Sequence, residues 1–232
     1  FAQDTANDYQ LTREEMDAYS IESLRRANAA IENGAFAGEV VPVTFSTRAG
    51  EVTVEHDEQP GKGKPDKIPT LRPAFAKDGT ITAATSSSIS DGAAAVVLTR
   101  ESVAEKNGQT PVARIVAMAA HAQAPSEFTV APVGAINKVL ENAGWSADDV
   151  ELWEVNEAFA CVAMFAMRDI GIPHDKINVN GGGTALGHPI GASGTRIIVT
   201  LLNALKEQGK KRGIASLCIG GGEATAVAVE LV

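Results

Sequence analysis

The sequence predicts an α/β protein: a mainly parallel sheet covered by helices on both faces, with a loop-rich N-terminal excursion. Three observations carry this. From Pro111 onward, short β-rich runs alternate with helix-patterned runs, the spacing of strands joined by crossover helices. The run "AAAVVLT" (93–99) is small or β-branched with no polar face, as in a strand buried on both sides. The stretch "PGKGKPDKIPT" (60–70) is rich in Pro, Gly and Lys, the composition of a surface loop.

In order along the chain, Thr12 and Glu15 form a capping box ahead of a helix that Gly34 stops, with Met16, Ile21, Leu24 and Ile31 near one face. "EVVPVTFST" and "EVTVEHDE" read as two extended runs split by the turn "RAG". After the loop at 60–70, "LRPAF" and "TITAATSSSISDG" lead into the strand at 93–99. "PVARIVAMAA" is strand-like, and "APVGAINKVLENAG" is a helix with Pro132 in its first turn and Gly144 past its end. "VELWEV" is a strand that runs into the apolar helix "NEAFACVAMFAMRDIG". "KINVN" is a strand, followed by the loop "GGGTALGHPIGASG" and the helix "GTRIIVTLLNALKEQG". The chain closes as two strands with Gly220, Gly221 and Gly222 between them.

Composition narrows the function classes. A hydrophobic content of 44% over 232 residues supports a real core. The formal charge of -9 argues against nucleic-acid and anionic-membrane partners. No apolar run approaches a membrane span, and the polar, acidic start is no secretory signal. Two cysteines give no disulfide framework and fit a reducing, cytoplasmic compartment. Cysteines and histidines show no metal-ligand spacing, so neither a metal nor another cofactor is expected. The chain has no initiator Met and opens just before a well-formed helix signal, so a longer parent chain is expected.

In open α/β sheets, ligand sites collect beyond the carboxyl ends of strands. Three strand ends deliver chemistry there: Asn156 and Glu157 after "VELWEV", His188 in the glycine loop after "KINVN", and Cys218 with Gly220 in "ASLCIGGG". An amide, an imidazole and a thiol on one edge can serve as anchor, oxyanion donor and acid/base. Glycines 181–183 and 187 let the loop approach a ligand closely, and Pro189 stiffens the segment carrying His188. Taken alone, this spacing suits equally a tight connection with a surface histidine.

Together, "NVNGGGTALGHPIGASG", "VNEAFA" and "LCIGGG" resemble the C-terminal active-site motifs of the thiolases, which make or cleave 3-ketoacyl-CoA. "SDGAAAVVL" and "LRPAF" resemble that family's middle region, in the same order, so the resemblance covers essentially all of the chain. It implies a thiolase-type fold divided into a loop and CoA-binding region (1–90), the last strand and helix of an N-terminal domain (91–110), and a C-terminal domain (111–232). Cys218 matches the acid/base cysteine that takes a proton from the acceptor acetyl-CoA. His188 matches the donor to the thioester oxygen of the enolate, and Asn156 the asparagine that holds a water beside it. The Gly220 N–H matches a donor of the second oxyanion hole, which serves the acyl-enzyme.

The resemblance also implies CoA thioester substrates and a homo-oligomer, dimer or tetramer. Ser87 matches the serine that contacts the pantetheine arm, although Thr85 stands where asparagine is common. Phe159 either walls the pantetheine channel or is an ordinary core aromatic. Lys62, Lys64 and Lys67 form the one dense basic cluster, suited to CoA phosphates or simply to a solvated linker. The family's nucleophilic cysteine has no counterpart here. Cys161, in the apolar "FACVAMF", reads as packing. As it stands the chain holds half an active site, so by itself it is expected to be inactive. A ketoacyl synthase shares the fold but lacks a cysteine in "CIGGG", so Cys218 favours a thiolase. A non-catalytic thiolase-fold piece with an assembly or lipid-binding role is the remaining alternative.

Overall fold

A computed structural model describes residues 1–232. Helices are α1 (Ala2–Asp8), α2 (Arg13–Glu32), α3 (Gln59–Lys62), α4 (Glu101–Lys106), α5 (Ala131–Ala143), α6 (Ala160–Ile170), α7 (Gly183–Leu186) and α8 (Ser193–Glu207). Strands are β1 (Val43–Thr47), β2 (Gly50–Val54), β3 (Ala113–Ala122), β4 (Leu152–Val155), β5 (Arg212–Ile219) and β6 (Glu223–Leu231).

Local sequence signals set most boundaries. The Thr12–Glu15 capping box forms, with Thr12 Oγ1 accepting from the Glu15 N–H, and it opens α2. Pro132 lies in the first turn of α5, and Gly144 ends that helix at φ 66°, the left-handed conformation that glycine adopts without penalty. The hairpin β1–β2 pairs antiparallel across Arg48 and Ala49, as its two extended runs predict.

β3, β6, β5 and β4 form one sheet in that order. Side chains alternate across it with period two. Trp153, Val155, Ile214 and Cys218 share a core with Ile136 and Val139 of α5 and Val162 and Ala166 of α6. Leu152, Ala215 and Val229 pack instead with Ile197, Leu201 and Leu205 of α8. Helices therefore cover both faces, as the sequence predicts.

Strand direction differs from expectation. Only β4–β5 is parallel; β5–β6 and β3–β6 are antiparallel, so the sheet is mixed rather than mainly parallel. The cause is local. The turn Gly220–Gly222 between β5 and β6 is far too short for a crossover, which needs a dozen or more residues, so the chain must return as a hairpin.

Two expected strands also change. "AAAVVLT" forms no strand, with Val97 95% and Leu98 72% exposed. A strand needs a neighbour to take its hydrogen bonds, and no strand of this chain lies beside it. "KINVN" contributes a single parallel bridge, Ile177 with Trp153, before the backbone turns. At the N-terminus, Phe1 precedes an unexpected short helix, α1, whose Ala2 and Ala6 pack with Met16, Ile81, Cys161 and Phe165. Along α2 the buried face runs through Met16, Ser20, Ser23, Leu24, Ala27 and Ala30, while Ile21 and Ile31 are only partly covered.

Candidate active site

Parallel pairing brings the ends of β4 and β5 to one edge of the sheet. The Asn156 N–H donates to the Ser216 carbonyl at 2.9 Å, two residues before Cys218. Beyond β4, the Asn178 N–H donates to Trp153 O at 2.9 Å, which starts the glycine loop at the same edge. All three predicted strand ends thus lie side by side.

Asn156 is almost fully buried. Its Nδ2 lies 3.4 Å from His188 Nε2, and its Oδ1 is buried with no partner in the protein. The His188 N–H donates to Ser88 O at 3.1 Å, which ties the loop to the segment before "DGAAAVVL". On its other side, His188 Nδ1 lies 2.6 Å from Oγ of the fully buried Ser193, which lies 3.0 Å from Pro189 O. One hydroxyl proton serves two acceptors. Given to Pro189 O, it leaves Nδ1–H to donate to Oγ and Nε2 bare. Given to Nδ1, it leaves Nε2 carrying the proton toward the pocket. Burial, with the nearby Arg196 guanidinium, holds His188 below its ordinary pKa. A neutral imidazole is the form that can switch between these two states.

Cys218, 7% exposed, belongs to the core under α5 and α6, and burial pushes its thiol up to about 12. Gly220 follows in the exposed β5–β6 turn. Cys161 is fully buried in α6, and burial together with the neighbouring Cys218 pushes its thiol up to about 12 as well. It packs there with Ala6, Met16, Ile81 and Phe165 as a core side chain.

Ser87 and Phe159 are brought together. Ser86 and Phe159 form an antiparallel bridge, and the N–H and hydroxyl of Ser87 both donate to Ala158 O at 3.0 Å. Thr85 O accepts from the Ala160 N–H at 2.9 Å, so Thr85 serves this bridge through its backbone. Phe159 is half-buried and meets Phe75 and Phe128 edge-on, with centroids 6.1 and 6.4 Å apart. Lys62 and Lys64 are exposed on the segment around α3, and Lys62 Nζ lies 3.2 Å from Glu58. They share no hydrogen bond or ion pair with the residues at the sheet edge. A cavity of about 370 Å³ is lined by Gly187, Pro189, Arg196 and Thr200 but by none of Asn156, His188 or Cys218.

Sequence reasoning missed Ser193 and gave Glu157 no role. A signal for the second existed: Tyr19 and Ser23, four residues apart on the buried face of α2, are polar groups that demand a partner inside.

A doubly covered sheet whose carboxyl edge carries an amide, an imidazole and a thiol is an α/β architecture with a candidate site at that edge. This chain belongs to the thiolase family: the thiolase N-terminal domain matches residues 1–102 and the thiolase C-terminal domain residues 109–231. It is 50% identical over 222 residues to an acetyl-CoA acetyltransferase of Yarrowia lipolytica, covering 96% of this chain and 55% of that one. It is 47% identical over 230 residues to the acetyl-CoA acetyltransferase of Rhizobium meliloti, covering 99% and 58%. Among solved structures, the Bacillus anthracis acetyl-CoA acetyltransferase superposes with a TM-score of 0.97 at 41% identity, over all of this chain and 59% of the other. An Ascaris suum thiolase in complex with coenzyme A superposes at 0.90 and 39% identity, with the same coverage. The chain therefore spans a little over half the length of these relatives.

Proposed function

We propose that these residues form the C-terminal part of a thiolase that condenses two thioesters, or in reverse thiolyses a 3-ketoacyl-CoA such as acetoacetyl-CoA. The observation that carries this is the contact between the Asn156 amide and the His188 imidazole at the edge where β5, carrying Cys218, ends. A proton on the α-carbon of a thioester is weakly acidic, so a base and an oxyanion donor must act together. Cys218 Sγ takes that proton. The charge moves to the thioester oxygen, where Nε2–H of His188 donates, joined by a water held on Asn156.

The enolate carbon then bonds to the carbonyl carbon of an acyl group carried on a second cysteine, and that C–S bond breaks. The Gly220 N–H supports the acyl oxygen. A thiol is protonated at neutral pH and burial raises that of Cys218 further, so it enters first as an acid. It protonates the CoA thiolate released on acylation, and the thiolate so formed is the base of the next step. No residue of this chain supplies the acyl-accepting cysteine, so the 232 residues alone carry half the chemistry.

In this reading Ser87 and Phe159 flank the pantetheine arm, supported by the bridge that joins their segments. Lys62 and Lys64 meet the CoA phosphates, supported by their charge and exposure. The domain division is 1–90, 91–110 and 111–232. The protein is a cytoplasmic homo-oligomer, supported by two free cysteines and by exposed apolar side chains such as Val97 and Met118.

The test uses a full-length thiolase carrying these residues. Cys218→Ser abolishes hydrogen exchange at the acetyl-CoA methyl group while acylation of the nucleophile survives, because the Gly220 N–H stays in place. His188→Ala lowers turnover about 10²- to 10³-fold. Turnover by the 232 residues alone would refute the assignment and direct attention to Cys161.

A further inference from the structure

Glu157 is fully buried with no cation beside it, and both its oxygens are satisfied by donors. Oε1 accepts from Tyr19 Oη at 2.8 Å and Asn178 Nδ2 at 2.9 Å. Oε2 accepts from Ser23 Oγ at 2.8 Å, the Thr184 N–H at 3.1 Å and Thr184 Oγ1 at 2.7 Å. Five donors and no acceptor suit a carboxylate, which can only accept.

Each oxygen has its own side. Oε1 belongs to the sheet: Asn178, at φ 46°, also caps Val155 by accepting from its N–H and donating to its carbonyl. Oε2 belongs to the loop: Thr184 sits in α7, four residues before His188, and Ser23 also receives the Gly182 N–H at 3.0 Å. The glycines answer to this carboxylate rather than to a ligand. A Cβ on Gly182 would run into the Glu157 carboxyl group, and one on Gly183 would meet the Glu157 carbonyl at 2.8 Å. Gly181, at φ 80°, lies against Ser23 and Ala27 of α2.

We propose that Glu157 is a positioning residue. Its carboxylate, shared between the Asn178 side of β4 and the Thr184 side of the glycine loop, sets the distance between the Asn156 amide beside it and the His188 imidazole. This rests on the thiolase reading of the site. A shift of about 1 Å in such a pair costs on the order of 10²-fold in rate. Glu157→Gln keeps the shape but turns one oxygen into a donor. At Oε1 the new NH₂ faces Asn178 Nδ2, and at Oε2 it faces the Thr184 N–H. Neither of those donors can reverse.

The experiment uses full-length thiolase carrying these residues, with ¹⁵N-labelled histidine. In Glu157→Gln, exchange of the acetyl-CoA methyl protons falls about 10- to 100-fold. The KM for acetyl-CoA stays within about 3-fold, the nucleophile is acylated normally, and the His188 ring nitrogen signals move. Should that variant fail to fold, Thr184→Val, which deletes one donor, carries the test with a drop of about 3- to 10-fold. Unchanged exchange in a folded variant overturns the proposal. So does an equal loss of exchange, acylation and substrate affinity, which marks a merely structural role. If the unsubstituted protein does not exchange the protons at all, the thiolase reading fails instead, and the His188 signals alone decide: moved signals uphold the positioning role, and unmoved ones overturn it.

Discussion

Two buried carboxylates stand three residues apart on the same strand end, one on each side of the sheet. Glu154 faces α8, where its single partner is Arg196 Nη1 at 3.3 Å; Glu154 Oε1 and Arg196 Nη2 have no partner. Burial pushes Glu154 up to about 8 despite the guanidinium, with the neighbouring Glu39 and Glu157 carboxylates opposing ionisation further. Glu157 faces α2 and the glycine loop, is equally buried, and has no unpartnered oxygen. The difference is supply of donors rather than depth. A buried polar group needs dipoles aimed at it, and Glu154 has one such donor where Glu157 has five.

The comparison breaks most readily at Glu157. Removing the carboxylate with Glu157→Ala takes the shared acceptor from the Tyr19, Ser23 and Thr184 hydroxyls, the Thr184 N–H and one N–H of Asn178, at about 1–3 kcal/mol for each donor left unpaired. A loss of about 3–5 kcal/mol in urea unfolding is expected. A loss under about 1 kcal/mol would show that the network does not hold the loop.

Glu154→Gln sharpens the contrast through pH. The folded protein holds the Glu154 proton more tightly than the unfolded chain, whose glutamate titrates near 4.5. This residue's contribution is therefore fully present below about pH 4.5 and is lost as pH rises through about 8. Unfolding free energies of the two proteins, measured from pH 5 to 9, should differ by about 1 kcal/mol or less at pH 5. At higher pH the unsubstituted protein should lose stability relative to the variant. Parallel pH curves would remove the assignment.

The smallest effect belongs to an ion pair in water. Lys62 and Glu58 approach to 3.2 Å but are 60% and 74% exposed, so Lys62→Ala should move thermal stability by less than about 0.5 kcal/mol. In a full-length thiolase the same substitution should weaken coenzyme A binding at low salt and leave it unchanged at high salt. An effect that ignores salt would place Lys62 away from the phosphates.

Much of the fold was legible because its signals are local. Thr12 with Glu15, Pro132 and Gly144 mark helix ends by their own chemistry, and each does so in the structure. Strand–helix alternation located β3, β4, β5, β6, α5, α6 and α8. Direction was not legible for β3, whose antiparallel pairing with β6 joins residues more than a hundred positions apart. Nor was the state of residues 93–99, since an apolar run predicts burial only where something covers it. The triglycine was read as room for a ligand; in the structure the space is filled by Glu157, Ser23 and Ala27.

The sequence by itself determined the caps, the two-residue period that sorts Trp153 from Leu152, and the order Asn156, His188, Cys218 at strand ends. Those depend on neighbours a few residues away. Tertiary structure alone decided that Asn156 meets His188, that Ser193 takes the far nitrogen of that ring, and that one carboxylate collects donors from residues 19, 23, 178 and 184. Such contacts obey no period, because a buried polar group is stable only where folding places complementary donors around it.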